Sequence, residues 1–62
     1  MKLTNIYLSN DCTRRVLVYV NENGHYELIK KVLQPDGWER VGYGKFKHFH
    51  TAERACKKWI NN

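Results

Sequence analysis

Short runs of alternating apolar and polar residues, separated by turn signals, divide this chain into predicted strands. Asn23-Gly24 lies between two β-rich runs, and Asn-Gly is the preferred pair for a two-residue type I′ hairpin loop. Pro35-Asp36-Gly37 gives a second turn, because Pro presets φ and Gly accepts the left-handed position that follows. We therefore expect strands at about 14–22, 25–34 and 38–46, and the apolar segment from Leu3 to Leu8 can add a fourth strand at an edge.

A helical period replaces the alternation near the end of the chain. Thr51 is a suitable N-cap, and Lys57 and Lys58 suit the last turn of a helix. One apolar stripe of this helix consists of Ala52, Ala55, Cys56, Trp59 and Ile60. Since that stripe needs a sheet to cover it, the pattern predicts one α+β domain over residues 1–62. Its architecture is a three-stranded antiparallel sheet, or a four-stranded one, packed on a single C-terminal α-helix.

The two turns also predict a register, and the register assigns side chains to the two faces of the sheet. A two-residue first loop pairs Glu22 with His25, and a three-residue second loop pairs Gln34 with Trp38. The second pairing continues to Ile29 opposite Tyr43 and to Glu27 opposite Lys45, and both of these pairs are expected on the face under the helix. The face expected under the helix carries Val16, Val18, Val20, Ile29, Leu33, Val41 and Tyr43. The face expected to be exposed carries Arg15, Leu17, Tyr19, Tyr26, Leu28, Lys30, Val32, Trp38 and Arg40, with Gly42 and Gly44 beside them.

The composition is that of a small, basic, folded protein. Eleven Lys and Arg against six Asp and Glu give a net charge of +5, with a sequence pI near 9.5. A hydrophobic content of 42% is too high for a disordered chain. The sequence has neither a signal-peptide pattern nor an apolar run near the ~18 residues of a membrane span. We therefore expect a complete small cytoplasmic protein that does not associate with membranes.

The placement of the cations favours a polyanionic partner. Arg15, Lys30 and Arg40 are predicted to lie close together on the exposed face, where the predicted register puts no acid. An anion would relieve their mutual repulsion. Three aromatic residues between them could stack on bases, namely Tyr19, Tyr26 and Trp38. Two further lysines, Lys45 and Lys47, could form a basic rim that contacts phosphates. The two glycines would let a phosphate backbone approach closely.

The junction between the last strand and the helix resembles a known pattern. The segment 49–59, Phe-His-Thr-Ala-Glu-Arg-Ala-Cys-Lys-Lys-Trp, is similar to the helix entry of AP2-type DNA-binding domains and of the N-terminal arm-binding domains of phage-type tyrosine integrases. The resemblance implies a three-stranded sheet whose exposed face docks in the DNA major groove. Arg15, Trp38 and Arg40 fall where strand contacts lie in those families. The families' Trp-Leu-Gly tract has no counterpart here, and Leu3–Leu8 is an addition.

Other chemistry receives little support from the sequence. His48, His50 and Cys56 match no compact zinc-binding pattern, and Cys56 belongs to the apolar helix stripe, so a Cys–His nucleophile pair is not expected. Cys12 and Cys56 are expected to be free thiols, with a disulfide as the alternative. No phosphate loop, carboxylate pair or Ser-His-Asp set is visible. We expect no catalytic residues, metal or cofactor.

The sequence thus predicts a DNA-binding accessory or regulatory protein of the kind that phages and mobile elements encode. Double-stranded DNA is favoured over RNA, with the exposed sheet face in the major groove. The alternative is a protein-binding module, such as a phage-encoded modulator of a host protein, because Leu17, Leu28 and Val32 make the same face partly apolar. Monomer and homodimer both remain open.

Overall fold

The chain forms a four-stranded antiparallel sheet, with strand order β1-β2-β3-β4, and one helix. This is seen in a computed structural model that describes residues 1–61. The elements are β1 (Lys2–Leu8), β2 (Arg14–Val20), β3 (Tyr26–Gln34), β4 (Gly37–Phe46) and α1 (Phe49–Ile60). The predicted α+β class and the additional edge strand are confirmed. Within the described part of the chain, no helix has the length and apolar character needed to cross a membrane.

The helix lies across one face of the sheet and contacts all four strands. Its buried residues are Ala52, Cys56 and Ile60, spaced four apart on one side of the helix. They meet Val16, Val18 and Leu28 from the two central strands to form the core. Partly buried side chains close the margins of this core, namely Tyr7, Tyr26, Phe46, Ala55 and Trp59.

The loop between β2 and β3 holds three residues instead of the predicted two. The N–H of Asn21 donates to the carbonyl of His25 at 2.9 Å, which leaves residues 22–24 as the loop. The Asn21 side-chain oxygen accepts from the N–H groups of Asn23 and His25 at 2.9 and 3.0 Å. Gly24 takes a left-handed conformation with φ of 77°. This arrangement is a turn followed by a glycine bulge residue, which the Asn21 side chain holds in place.

The longer loop shifts the pairing of β2 and β3 by one residue, so that Val18 lies opposite Leu28 and Leu17 opposite Ile29. A shift of one residue exchanges the two faces of a strand. The predicted assignment of β3 was therefore wrong: Leu28 is fully buried under the helix, and Leu33 is 44% exposed. The same correction moves Ile29, Leu33 and Tyr43 to the face away from the helix. It moves Tyr26, Leu28, Lys30, Val32, Gly42 and Gly44 to the helix side.

The β3–β4 turn is shorter than predicted, and a bulge then restores the predicted register. Gln34 pairs with Gly37 across a two-residue turn, and this pairing continues to Lys31 opposite Arg40. The next pair is Lys30 with Gly42, so Val41 is an extra residue without a cross-strand partner. Beyond the bulge, two predicted pairs are confirmed, Ile29 with Tyr43 and Glu27 with Lys45.

The edge strand β1 also contains a bulge, since Leu3 pairs with Tyr19 and the next pair is Asn5 with Val18. The hydroxyl of the extra residue, Thr4, donates to the carbonyl of Val18 at 3.2 Å. This irregularity places the side chains of Leu3, Ile6 and Leu8 on the face away from the helix. It also leaves Tyr7 facing the helix, where its hydroxyl donates to Glu53 at 3.1 Å.

Helix α1 begins earlier than predicted. His48 has extended backbone angles and makes no side-chain capping bond, and the helix starts at Phe49. Thr51 is therefore inside the first turn and is not the N-cap. The early start places the Phe49 ring edge-to-face against Tyr26, with ring centroids 5.4 Å apart. This aromatic contact secures the entry of the helix.

One carboxylate organises the β1–β2 loop. A single oxygen of Asp11 accepts from the Ser9 hydroxyl at 2.7 Å and from the Thr13 hydroxyl and N–H at 2.7 and 3.1 Å. These hydrogen bonds, first that of Ser9 and then those of Thr13, lower the pKa of Asp11 to about 2. Cys12 next to it has a φ of 62°, which is uncommon for a residue with a side chain.

The observed register predicts which leucine of β3 supports the core. Leu28→Ala should lower the free energy of unfolding by about 2–5 kcal/mol, because it leaves a cavity under the helix. Leu33→Ala, on the same strand but exposed, should cost less than about 1 kcal/mol. Urea unfolding monitored by circular dichroism measures both. A larger loss for Leu33→Ala would contradict the register.

The hydrogen bonds of Asp11 should make the stability of the loop depend on pH. Because the pKa is lower in the folded protein than in the unfolded chain, the ionised carboxylate stabilises the fold above about pH 3.8. That contribution is lost as pH falls through about 2. Asp11→Ala should therefore lower the urea midpoint at neutral pH, and the difference from the wild type should shrink toward pH 2. A difference that stays constant with pH would contradict this role.

Candidate functional site

The face of the sheet away from the helix, here called the open face, carries three successive rows of side chains. A row of cations lies near the start of β2. Leu8 of β1 is followed across the strands by Arg15, Lys31 and Arg40, which are cross-strand neighbours. We call the last three the cationic rung. Three like charges side by side on neighbouring strands repel one another.

Acidic residues of the described chain do not neutralise the cationic rung. Within residues 1–61 the one ion pair is Lys57 with Glu53, 4.0 Å apart on the helix. The Arg15 guanidinium carbon lies over the ring of Trp38, 4.3 Å from its centroid. This cation–π contact fixes the guanidinium on the open face. The Arg15 Nε is buried without a hydrogen-bond partner among the described residues.

An apolar row lies next to the cationic rung and crosses the whole sheet. It consists of Ile6, Leu17, Ile29 and Tyr43, one from each strand, and we call it the apolar rung. Its two ends are the most open, with Ile6 and Tyr43 each 57% exposed. Leu17 and Ile29 are half-buried between them. A continuous exposed apolar strip of this kind is typical of a binding surface.

The third row contains the acid of the open face. Leu3, Tyr19, Glu27 and Lys45 are successive cross-strand partners. Glu27 accepts from the Asn21 amide at 2.9 Å and from the Tyr43 hydroxyl at 2.7 Å. The bond from Asn21 and then that from Tyr43 lower the pKa of Glu27. The bond to Glu27 raises the pKa of Tyr43. Both Glu27 oxygens thus accept hydrogen bonds. The apolar rung separates Glu27 from the cationic rung.

Most of the predicted site residues do lie on the open face. Arg15, Tyr19, Trp38 and Arg40 are placed there as expected. Lys45 joins them, although the predicted register put it under the helix with Glu27. The exposed Lys47 belongs to the connection between β4 and the helix.

The structure corrects the placement of Lys30 and Tyr26, which face the helix. The Lys30 ammonium lies 5.9 Å from the centroid of the Trp59 ring, and its methylene chain covers Gly42. Tyr26 contacts Phe49, as described above. Gly42 and Gly44 therefore leave space for side chains on the helix side of the sheet, and not for a phosphate backbone on the open face. A Cβ at Gly42 would lie 3.1 Å from the Lys30 side chain, and one at Gly44 would lie 3.1 Å from the Phe46 ring.

Lys31, Ile29 and Tyr43 also belong to the open face, although the sequence did not indicate this. Lys31 replaces its neighbour Lys30 beside Arg15 and Arg40. The signal that could have found them is Asn21, because an Asn two residues before Asn-Gly can extend the loop by accepting backbone N–H bonds.

Both cysteines, and the histidines His48 and His50, lie apart from the open face. Both Cys12 and Cys56 are free, with Cys12 exposed and Cys56 buried. Burial raises the pKa of the Cys56 thiol to about 11, which suits a packing residue. His48 and His50 stack at the start of the helix with ring centroids 6.0 Å apart. Over residues 1–61, no three His, Cys, Asp or Glu side chains cluster as metal ligands would.

Comparison with known proteins gave no relative: no family model matches the chain, and no significantly similar curated protein or solved structure was found.

Repulsion within the cationic rung should be measurable as a salt effect. Arg40→Gln should raise the free energy of unfolding by about 0.2–1 kcal/mol at low ionic strength, because it removes one of three adjacent like charges. The gain should fade between ~10 mM and ~150 mM salt, as the Debye length drops from ~30 Å to ~8 Å.

Lys57→Gln is the matched control, because Lys57 pairs with Glu53 on the helix. It should not raise stability at low salt. Urea titrations at the two salt concentrations measure both variants, and a destabilising effect of Arg40→Gln at low salt would contradict the assigned repulsion.

Proposed function

We propose that this protein binds nucleic acid through its open face, as a small accessory or regulatory protein without catalytic residues. The cationic rung holds the phosphates, and the aromatic side chains beside it contact sugars and bases. The resemblance of residues 49–59 to DNA-binding domains supports DNA over RNA and an origin in a phage or mobile element.

The observation that carries the proposal is the cationic rung itself. Arg15, Lys31 and Arg40 come from three neighbouring strands, and none of them pairs with an acid among residues 1–61. The mutual repulsion of three adjacent cations costs free energy, and attraction to a bound polyanion offsets this cost. Two of the three cations are arginines, and a guanidinium can form two parallel hydrogen bonds with phosphate oxygens.

The net charge of +5 supports the same partner. Each phosphate that the protein neutralises releases a condensed counterion, which favours binding and makes the affinity fall with salt. Aromatic side chains complete the surface: Trp38 lies under Arg15, and Tyr19 and Tyr43 belong to the two rows that follow. Basic residues interleaved with aromatic ones are typical of nucleic-acid-binding surfaces.

A second function has its own supporting observation. The apolar rung crosses all four strands and resembles the centre of a protein interface, in which aliphatic and aromatic side chains are surrounded by polar ones. A protein-binding module would use Ile6, Leu17 and Tyr43 as anchors and the cationic rung to meet an acidic partner. Binding through the apolar anchors would persist at high salt, whereas phosphate binding would fall steeply.

Two adjacent lysines provide the test of the nucleic-acid proposal. Lys31→Ala should weaken binding to DNA several-fold and reduce the slope of log affinity against log salt by about 1, because one phosphate contact is lost. Lys30→Ala removes the same charge from the helix side of the sheet, so the slope should change much less. Fluorescence anisotropy with labelled DNA at several salt concentrations measures both.

Circular dichroism melting of both variants should show that each remains folded. Equal effects of the two substitutions would point to general charge attraction without a defined face. Wild-type protein that shows no binding at low salt would refute the proposal.

A further inference from the structure

We infer that the open face takes single-stranded nucleic acid in preference to a duplex. The inference deepens the function proposed above and rests on it. Three features of the open face support this choice: the width of the sheet, the chemistry of its outer strand, and the position of the apolar rung between two polar rows.

The width of the sheet disfavours insertion into a groove. Strands lie about 4.8 Å apart, so four strands span about 14 Å between the outer backbones, before side chains are counted. The major groove of B-DNA is about 12 Å wide and admits a helix or a two-stranded ribbon. The resemblance at residues 49–59 implied a three-stranded sheet in that groove. Here β1 pairs along β2 from Lys2 to Leu8 and adds a fourth strand to the open face.

The outer strand also has the wrong chemistry for a groove wall. The side chains that β1 presents on the open face are Leu3, Ile6 and Leu8, and they are 44, 57 and 51% exposed. If β2, β3 and β4 entered a groove, these aliphatic side chains would press against a phosphate backbone. That contact would remove water from charged phosphates without replacing its hydrogen bonds.

A single strand can instead contact the cationic rung and the apolar rung at the same time. Its phosphates are separate from its bases, and each unpaired base presents an apolar ring face. Phosphates on the cationic rung would leave bases over the adjacent apolar rung, with Tyr43 available for stacking at one end and Ile6 for apolar contact at the other. Glu27 holds the Tyr43 hydroxyl at 2.7 Å and so orients the ring at the edge of the sheet.

The test compares a fluorescein-labelled mixed-sequence DNA of about 12 nucleotides with the same strand annealed to its complement. That length lies within the ~4–16 nucleotides that one single-strand-binding OB-fold covers. Anisotropy titrations at one salt concentration should give at least about tenfold tighter binding to the single strand. Tyr43→Ala should then weaken single-strand binding by about fivefold to a hundredfold, the effect of losing one base–aromatic stack. Tyr43→Phe keeps the ring but loses the bond to Glu27 that orients it, so it should weaken binding clearly less than Tyr43→Ala does.

Ile6→Ser tests the outer strand and should also weaken single-strand binding. Val41→Ser is its control, because Val41 is similarly exposed at 52% but is the extra residue of the β4 bulge and belongs to no rung. A loss for Ile6→Ser with little change for Val41→Ser supports the inference. Equal losses would overturn the role of the apolar rung. Circular dichroism of each variant confirms that it is folded.

The failures of the two proposals are distinguishable. A duplex that binds as tightly as the single strand overturns this inference and leaves the proposed function intact. Absence of binding to both probes overturns the proposed function as well. Sedimentation velocity identifies the remaining alternative: a dimer that Ile6→Ser dissociates, without nucleic-acid binding, would assign the open face to a second copy of the chain.

Discussion

Asn21 holds the loop on which the arrangement of both faces depends. Its side-chain oxygen accepts two backbone N–H bonds, and its own N–H closes the loop at His25. The three-residue loop places Leu28 opposite Val18 on the neighbouring strand, and both side chains are buried under the helix. The core is small, so it tolerates little error: of the strand residues, Val16, Val18 and Leu28 are the fully buried apolar side chains. The local hydrogen bonds of one asparagine therefore determine what the helix covers.

The same constraint gives the cations two different tasks. On the helix side, Lys30 and Arg14 lie 5.9 and 5.5 Å from the ring centroid of Trp59. Arg14 also donates to the last helical carbonyl, that of Ile60, at 3.3 Å. Its positive charge interacts favourably with the negative C-terminal end of the helix dipole. These charges help to close the core. On the open face, Arg15, Lys31 and Arg40 do not pack against the helix core. Their mutual repulsion is not relieved by an acidic partner among residues 1–61.

The sequence predicted the class, the order of the elements and the helix stripe, because these follow from periodicity and strong turn residues, and it left open whether β1 joins the sheet. It could not predict the register of β3. Apolar residues occur there at both parities, as Leu28 and Ile29 and again as Val32 and Leu33, so the strand does not identify its own buried face. Arg40 and Trp38 were nevertheless placed correctly. The predicted β2–β3 register was wrong by one residue, and so was the predicted β3–β4 register next to the turn. The two shifts cancel for Trp38 and Arg40, so both lie on the predicted face. Beyond the bulge at Val41 the β3–β4 pairing is the predicted one.

The two bulges lie on the two outer strands, one at Thr4 and the other at Val41, while β2 and β3 pair without irregularity. An outer strand with regular, unpaired N–H and C=O groups invites another sheet to join it and so begins aggregation. A bulge disrupts that ladder and increases the local twist. A protein with so much exposed apolar surface on one face thus has both of its edges protected from indefinite strand addition, so its open face can remain available for binding.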